Sequence, residues 1–197
     1  RRHRDYFLEL AEDANARLSG PEQAAWLRRL EVEHENLRAA LEWSAADADP
    51  APGFRLCAAM RRFWSTRGHL NEGREWCSRC LDRAGAGAPT HERAQALAGA
   101  GALAMEQGEY ATARALLEAG LSIMRTLGDR RGTASSLASL GGIAREQGDY
   151  ERARALYEES LAIRRESARP RAIFPRQPRS RAPESRQEPA ELLTTRH

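Results

Sequence analysis

Three cysteines come closest in this chain to a reactive or metal-binding pattern. Cys77 and Cys80 form a CxxC pair, and Cys57 and His69 lie nearby in the sequence. A structural zinc site needs four ligands in a closed geometry. In the internal repeat described below, the three cysteines align with leucines and other closely packed positions, where cysteine acts as a small apolar side chain. We therefore expect core cysteines, with no metal site and no cofactor.

Histidine, carboxylate and serine side chains offer the other chances of catalysis. His34 lies beside Glu35 and close to Glu31, but no second histidine follows at the metalloprotease spacing. Ser135 and Ser136 lack the flanking glycines of a nucleophile elbow. The His34 region is therefore predicted to be a solvated charged face. The pattern predicts no catalytic residues, and we expect that the protein is not an enzyme.

Composition narrows the function further. The 197 residues contain no lysine, which excludes a P-loop or Schiff-base mechanism, and they contain a single valine, which argues against a sheet. The segment from Ser167 onward has seven arginines and three glutamates, a charge of +4, whereas residues 1–166 have 24 arginines and 25 acidic residues, a charge of −1. Nucleic-acid binding by the folded part is therefore disfavoured. Arginine pairs such as Arg61-Arg62 are predicted to be solvated helix ends.

The cellular setting is predicted from what the sequence lacks. An odd number of cysteines without a signal peptide favours the cytoplasm. No apolar run reaches the roughly 18–20 residues that a membrane span needs, so we expect no membrane association. Because the chain begins with Arg1 rather than methionine, we expect it to be part of a longer protein.

The sequence repeats itself with a period of 40 residues. Residues 107–117, QGEYATARALL, return at 147–157 as QGDYERARALY, and a weaker copy occupies 67–77 as RGHLNEGREWC. Such self-similarity is typical of a solenoid of stacked supersecondary units. The period predicts three consecutive copies, of which the first is degenerate.

Each copy is predicted to be a hairpin of two antiparallel helices. A glycine in left-handed conformation ends the first helix, a bulky residue begins the second, and small residues let the two helices pack closely. These signature positions are Gly68, Gly108 and Gly148 at the corner, Tyr110 and Tyr150 after it, and Gly73, Gly101, Ala113, Gly141 and Ala153 where the helices approach. The predicted fold is an all-α, right-handed solenoid of hairpins over residues 53–84, 91–127 and 131–166.

This pattern resembles the tetratricopeptide repeat family, which has small residues in both helices and a Gly-acid-Tyr corner. The corner occupies residues 108–110 and 148–150. The period of 40 is longer than the family's usual value of about 34. The family's first-helix aromatic is replaced by Ala104 and Ala144, and the closing proline is absent. Over residues 53–166, the resemblance implies a repeat module that binds another protein.

The N-terminal segment, residues 1–49, has a different helical pattern. We predict one helix from Arg4 to Leu18 and a second from about Pro21 to Ala46. Residues 30–43, LEVEHENLRAALEW, resemble the helical linker that follows the ATPase core in bacterial signalling NTPases of the LuxR-type and antibiotic-regulatory kinds. The resemblance implies that the repeats sense a partner or ligand and release a switch in an upstream domain.

A binding groove is predicted along the first helices of the hairpins, which line the concave side of such solenoids. The positions predicted to face it are Arg55 and Arg62 in the first copy, Gln95 and Met105 in the second, and Ser135 and Arg145 in the third. The positions between them are mostly alanine. We therefore predict a shallow groove, with arginines at its ends, that binds a protein or peptide of acidic character.

The predicted function is thus a protein-interaction or sensor module of a bacterial transcriptional regulator with an upstream signalling NTPase. A free-standing repeat adaptor or scaffold is the alternative. An RNA-binding repeat is a further alternative, although the chain offers few aromatics for stacking. Residues 168–197, rich in proline and arginine, are predicted to be disordered, and a frame-shifted or truncated end is one interpretation of them.

Overall fold

The chain folds as a succession of α-helices. The computed structural model describes residues 2–85 and 87–168, and no strand occurs among them, which confirms the all-α prediction. The helices are α1 (Arg2–Arg17), α2 (Gln23–Val32), α3 (His34–Ala46), α4 (Ala51–Arg67), α5 (Leu70–Ala84), α6 (His91–Glu106), α7 (Tyr110–Thr126), α8 (Arg130–Glu146) and α9 (Tyr150–Ala168). Except for Ala168, the segment predicted to be disordered lies outside the described residues.

Three consecutive hairpins, α4–α5, α6–α7 and α8–α9, build the solenoid. Each turns at a glycine with a positive φ, namely 80° at Gly68, 76° at Gly108 and 78° at Gly148. In the second hairpin the amide of Glu109 donates to the carbonyl of Ala104 at 3.0 Å, and the third has the same bond from Asp149 to Ala144 at 2.9 Å. This is the backbone closure of a Schellman motif, which needs the left-handed residue that glycine supplies.

The N-terminal helices extend the same stack. Helix α1 packs against both α3 and α4. Its Glu12 is joined to Arg55 of α4 by two bonds of 2.8 and 2.7 Å. Its Arg4 reaches Asp47, just after α3, at 2.6 Å. Residues 2–46 therefore cover the open side of the first hairpin.

The single helix predicted from about Pro21 to Ala46 is wrong. The segment forms two helices, α2 and α3, that meet at Glu33, whose φ of −91° and ψ of 9° lie outside the helical range. The break redirects the chain so that Leu27 and Leu30 of α2 and Leu37 of α3 are all buried. A straight helix offers one apolar stripe, whereas this segment has apolar residues that serve two directions.

The core has two parts that meet in α6. The first part joins α1 to α6 and holds the bulkiest buried side chains, including Phe63 and Trp64. The second part joins α6, α7 and α8 through buried alanines, leucines and Ile143, and α9 adds the partly buried Leu156 and Ile163. Leu103 belongs to the first part and Ala104 to the second. The N-terminal half is therefore the more heavily packed half.

A membrane span is not found in the part of the chain described here: none of its helices combines the required length with sufficient apolar character.

Candidate functional site

The predicted groove positions lie on successive first helices, where they are exposed or half-buried. We call this surface the first-helix face. Its residues are Arg55, Ala58, Arg62 and Ser65 on α4, Gln95, Ala98, Ala102 and Met105 on α6, and Ser135, Ala138, Gly142 and Arg145 on α8. Since alanine and glycine occupy the middle of each helix, a partner segment could approach the backbone closely.

Contacts between neighbouring first helices fix the shape of this face. The Ser65 hydroxyl of α4 donates to Glu106 of α6 at 2.6 Å. Farther along, a Cβ on Gly142 of α8 would lie 3.9 Å from the sulfur of Met105 on α6. A short residue at Gly142 thus leaves room for the methionine side chain.

The arginines predicted at the ends of the face already have acidic neighbours. Arg55 is paired with Glu12 at 2.7 Å, and Arg145 with the adjacent Glu146 at 2.6 Å. Exposed ion pairs of this kind contribute little to stability, so a partner could compete for either arginine.

Two adjacent arginines of α4, Arg62 on this face and Arg61 beside it, differ from Arg55 and Arg145. Arg61 and Arg62 are half-buried, and neither has a carboxylate within ion-pair distance in the described ranges 2–85 and 87–168. The aliphatic part of Arg61 lies over α6, 3.6 Å from the Cβ position of Gly99. Burial, and then the neighbouring Arg62, lower the pKa of Arg61. The interpretation of this pair as a solvated helix end is therefore wrong.

The three cysteines lie in the hydrophobic core, as the repeat register predicts. Cys57 of α4 faces Cys77 and Cys80 of α5, and all three are buried and unbridged. Contacts with the other two thiols, and then burial, raise the pKa of Cys57. The hydrogen bond from Cys57, and then the charge of Arg79, outweigh burial and lower the pKa of Cys80. Cys57, as a buried thiol held protonated, is a poor nucleophile and a poor metal ligand.

The solvated charged face predicted around His34 is wrong for the histidine itself. Its side chain is buried against the edge of the Phe63 ring, with 5.2 Å between the ring centroids. Its Nε2 lies 3.0 Å from Glu72 of α5, and Arg38 holds both oxygens of Glu72 at 2.8 Å. This polar joint links α3 to α5.

Electrostatics favour the ionised form of Glu72 within that joint. Burial alone would raise its pKa, but the hydrogen bond from Arg38 and the nearby His34 outweigh burial, and the pKa of Glu72 is lowered. The joint is thus a half-buried carboxylate held by two side chains of α3.

A possible cation site borders this joint. Glu31, His34 and His69 place one ligand atom each within 4.8 Å of one another. The Glu31 carboxylate already accepts from Arg67, with 3.2 Å between nitrogen and oxygen, and its other oxygen lies 3.7 Å from Nε2 of His69. Because arginines neutralise the carboxylates here, the cluster is accounted for as a structural contact between α2, α3 and the α4–α5 corner.

The second and third hairpins carry the family signature. Residues 92–166, which span α6 to α9 almost completely, match the family described as tetratricopeptide repeat. Residues 92–166 are tetratricopeptide repeats. The resemblance drawn from the corner motifs is thereby confirmed for these four helices. The tetratricopeptide repeats are continuous with the α4–α5 hairpin through the packing of α4 on α6.

The curated relatives are much longer than this chain. It is 35% identical over 81 residues to proteins named as HTH-type transcriptional regulators from Mycobacterium tuberculosis and Mycobacterium bovis. The matched segment is 41% of this chain but only 9% of those regulators.

A solved structure shows the same fold over most of the chain. The crystal structure of BtubC (BKLC) from P. vanneervenii superposes with a TM-score of 0.61 at 14% sequence identity. The alignment covers 84% of this chain and 73% of that chain. Coverage this wide requires part of the N-terminal helices to follow the fold as well.

Proposed function

We propose that this chain is the protein-binding sensor module of a bacterial transcriptional regulator that also carries a signalling NTPase. Two findings support the proposal. Residues 92–166 are tetratricopeptide repeats, a fold that presents surfaces to other proteins. The similarity to longer proteins named as HTH-type transcriptional regulators supports the regulatory setting.

The observation that carries the binding part is the pair Arg61 and Arg62 on α4. Both side chains are half-buried, and neither forms an ion pair within the described residues, although Glu106 lies near enough to act on the pKa of Arg61; they border a face made of small side chains. A partly desolvated cation gains more from a carboxylate than an exposed one does. The proposed partner is therefore an acidic protein segment that lies along the first-helix face.

A second surface fits contact with another domain of the same regulator. Tyr6 of α1 is 56% exposed and Trp43 of α3 is 54% exposed. His3 and Phe7 link them, because the His3 ring centroid lies 5.8 Å from that of Trp43 and 4.6 Å from that of Phe7, and the Phe7 centroid lies 5.0 Å from that of Tyr6. Exposed aromatics grouped in this way are typical of interfaces. We propose that the domain preceding α1 packs on this aromatic patch.

Site-specific crosslinking in the native host tests the binding part. A photoreactive phenylalanine analogue replaces Ala102 on the first-helix face, and a control places it at Ala119, which is exposed on α7. We expect a discrete protein adduct from Ala102 alone, lost when Arg62→Glu is added. Equal adducts from both positions, or an Ala102 adduct unaffected by Arg62→Glu, would show that this face is not the binding surface.

Transcript levels test the regulatory part separately. In the same host, a strain with Arg62→Glu is expected to change expression of a defined set of genes relative to Arg164→Glu, an exposed control on α9. If the Ala102 adduct forms but neither strain alters transcription, the chain is a repeat adaptor and the regulatory proposal is wrong.

A further inference from the structure

A pocket lies between the first and second hairpins, on the side of the second helices. It has a volume of about 850 Å³ and is walled by α5, α6 and α7. Its apolar surface comes from Leu81, Leu97, Ala100 and Leu116. Its polar lining comes from Asn71, Arg74, Glu75, Ser78, Asp82, Arg93 and Thr112. A size of roughly 300–1,000 Å³ and an apolar wall with a few polar groups are typical of small-molecule sites.

One of the residues that line this pocket, Arg93, has a guanidinium N–H group without a hydrogen-bond acceptor among the described residues. Its Nη1 is buried, and none of the residues in the ranges 2–85 and 87–168 offers it a hydrogen-bond partner. The other polar groups are better supplied: Arg74 binds Glu109 with bonds of 2.5 and 2.6 Å, and Asp82 accepts from the Ser78 hydroxyl at 3.0 Å. A buried guanidinium N–H without an acceptor is costly. An acidic group from a ligand would remove that cost.

The next junction of the solenoid provides an internal comparison. A shift of 40 residues turns Ser78 and Thr112 into Glu118 and Arg152, whose side chains pair at 3.3 Å. Gly85 becomes Arg125, which pairs with Glu159 at 2.7 Å. Ion pairs therefore bridge α7 and α9. At the matching positions between α5 and α7 the side chains are small, and the pocket lies there.

The residues of the first helices that line the two junctions also differ. Ala100 becomes the larger Leu140, which is buried in the second core. Arg93 becomes Thr133, whose hydroxyl is satisfied by the carbonyl of Asp129 at 2.7 Å. At four matched positions, 78, 85, 100 and 112, the first junction thus has small side chains where the second has larger or charged ones, and the first junction is the one with the unpartnered Nη1 of Arg93.

We propose that this pocket binds a small organic anion with an apolar body. Arg93 holds the acidic group, the leucines and Ala100 contact the apolar body, and the Ser78 and Thr112 hydroxyls face its polar edge. The pocket uses none of the first-helix face. This proposal is therefore independent of the protein partner proposed above, and either can fail alone.

Fluorescence titration with anilinonaphthalene sulfonate, an apolar anion, tests the site on the full chain. We expect saturable binding of one probe per chain. Arg93→Gln should weaken it by about tenfold or more, the loss expected for one charge-assisted hydrogen bond. The matched control is Arg152→Gln, which removes an arginine from the bridged junction and should leave binding unchanged. The uncharged phenylnaphthylamine should bind wild type and Arg93→Gln alike.

Filling the pocket gives a second, separate test. Ala100→Leu copies the residue of the bridged junction, and Ser78→Glu with Thr112→Arg copies its ion pair at the rim. Both are expected to abolish saturable probe binding while circular dichroism shows unchanged helicity. The rim variant keeps the test decisive if Ala100→Leu does not fold. Unchanged affinity in the folded Arg93→Gln and rim variants would overturn the proposal.

Discussion

Buried His34 and the more exposed Arg38 and Glu72 decide how the N-terminal helices join the repeats. Arg38 and His34 of α3 both contact Glu72 of α5, so one carboxylate fixes the orientation of two helices. Removal of one partner from such a group leaves the others partly desolvated without their hydrogen bonds, which costs more than the interaction itself contributes. The joint therefore determines geometry more than it adds stability.

Acidification should weaken this joint in a predictable way. The pKa of Glu72 is lowered in the folded chain relative to its ordinary value of 4.5. Its contribution to stability is therefore fully present above about pH 4.5 and is lost as the pH falls through the folded value. We expect Glu72→Gln to be less stable than wild type at pH 7, and the difference to shrink as the pH is lowered through this range.

Urea unfolding between pH 7 and pH 3 measures the effect. Glu35→Gln is the control, because Glu35 contacts the same Arg38 but its side chain is 83% exposed. An exposed pair contributes little, so this variant should follow the wild-type curve. Parallel pH curves for wild type and Glu72→Gln would contradict the assigned role of the carboxylate.

The two helices of a hairpin approach most closely where a small residue of one helix faces a large residue of the other. A Cβ on Gly101 of α6 would lie 2.8 Å from Leu117 of α7, and in the first hairpin Arg61 occupies the matching position. Between hairpins, Arg74 contacts Gln107, and 40 residues later Arg114 contacts Gln147. Repeated contacts of this kind keep successive hairpins in the same relative position.

Alanine substitutions at two helical glycines distinguish the effect of close packing on stability from the effect of helix propensity. A Cβ on Gly73 would lie 2.6 Å from the Trp64 ring and 2.9 Å from Leu103, both fully buried. Gly73→Ala should therefore destabilise the fold by about 1–3 kcal/mol, as expected for overpacking. On α6, a Cβ on Gly99 would meet only the flexible Arg61 side chain, at 3.6 Å. Gly99→Ala should be neutral or stabilising by up to about 1 kcal/mol.

Urea unfolding of the two variants tests this prediction. The midpoints are compared with that of wild type, provided that the dependence of the unfolding free energy on urea concentration is the same. Both substitutions add one methyl group to a helix interior, so propensity alone would give them the same sign. Stabilisation by Gly73→Ala would mean that α5 packs less closely on α4 and α6 than the distances indicate.

The molecule as a whole should lose its structure from the C-terminal end. Helix α9 buries only Ala153 and Ser160, whereas α4 buries nine residues, including Phe63 and Trp64. Since neighbouring units of a solenoid support one another in sequence, local opening should follow the local packing.

Hydrogen exchange measured by mass spectrometry tests this gradient. We expect protection to decrease from α4 through α6 to α9. Leu140→Ala should cost about 2 kcal/mol or more and speed exchange in α8 and α9, while leaving α1 and α3 unchanged. Met60→Ala, in the first core, is the reciprocal variant and should affect α1 and α3. A uniform increase along the whole chain in both variants would show one cooperative core.

The sequence alone determined the features that depend on nearby residues. The 40-residue period, the corner glycines and the small residues at the approach positions are local signals, since capping and side-chain spacing act within one hairpin. They gave the all-α class and the tetratricopeptide resemblance. The register also placed Cys57, Cys77 and Cys80 in the core. The first-helix face rests on the same register and stays a prediction.

Only the tertiary structure decided features that join residues distant in sequence. Neither the break at Glu33 nor the burial of His34 has a local signal, because each follows from packing on α5 and α4. Arg61 is half-buried because Gly99 of the next hairpin leaves room for it. The pocket likewise depends on the size of residues in three helices. The register could have pointed to it through Ala100 and Leu140, but the unpartnered nitrogen of Arg93 appears only when the helices are in place.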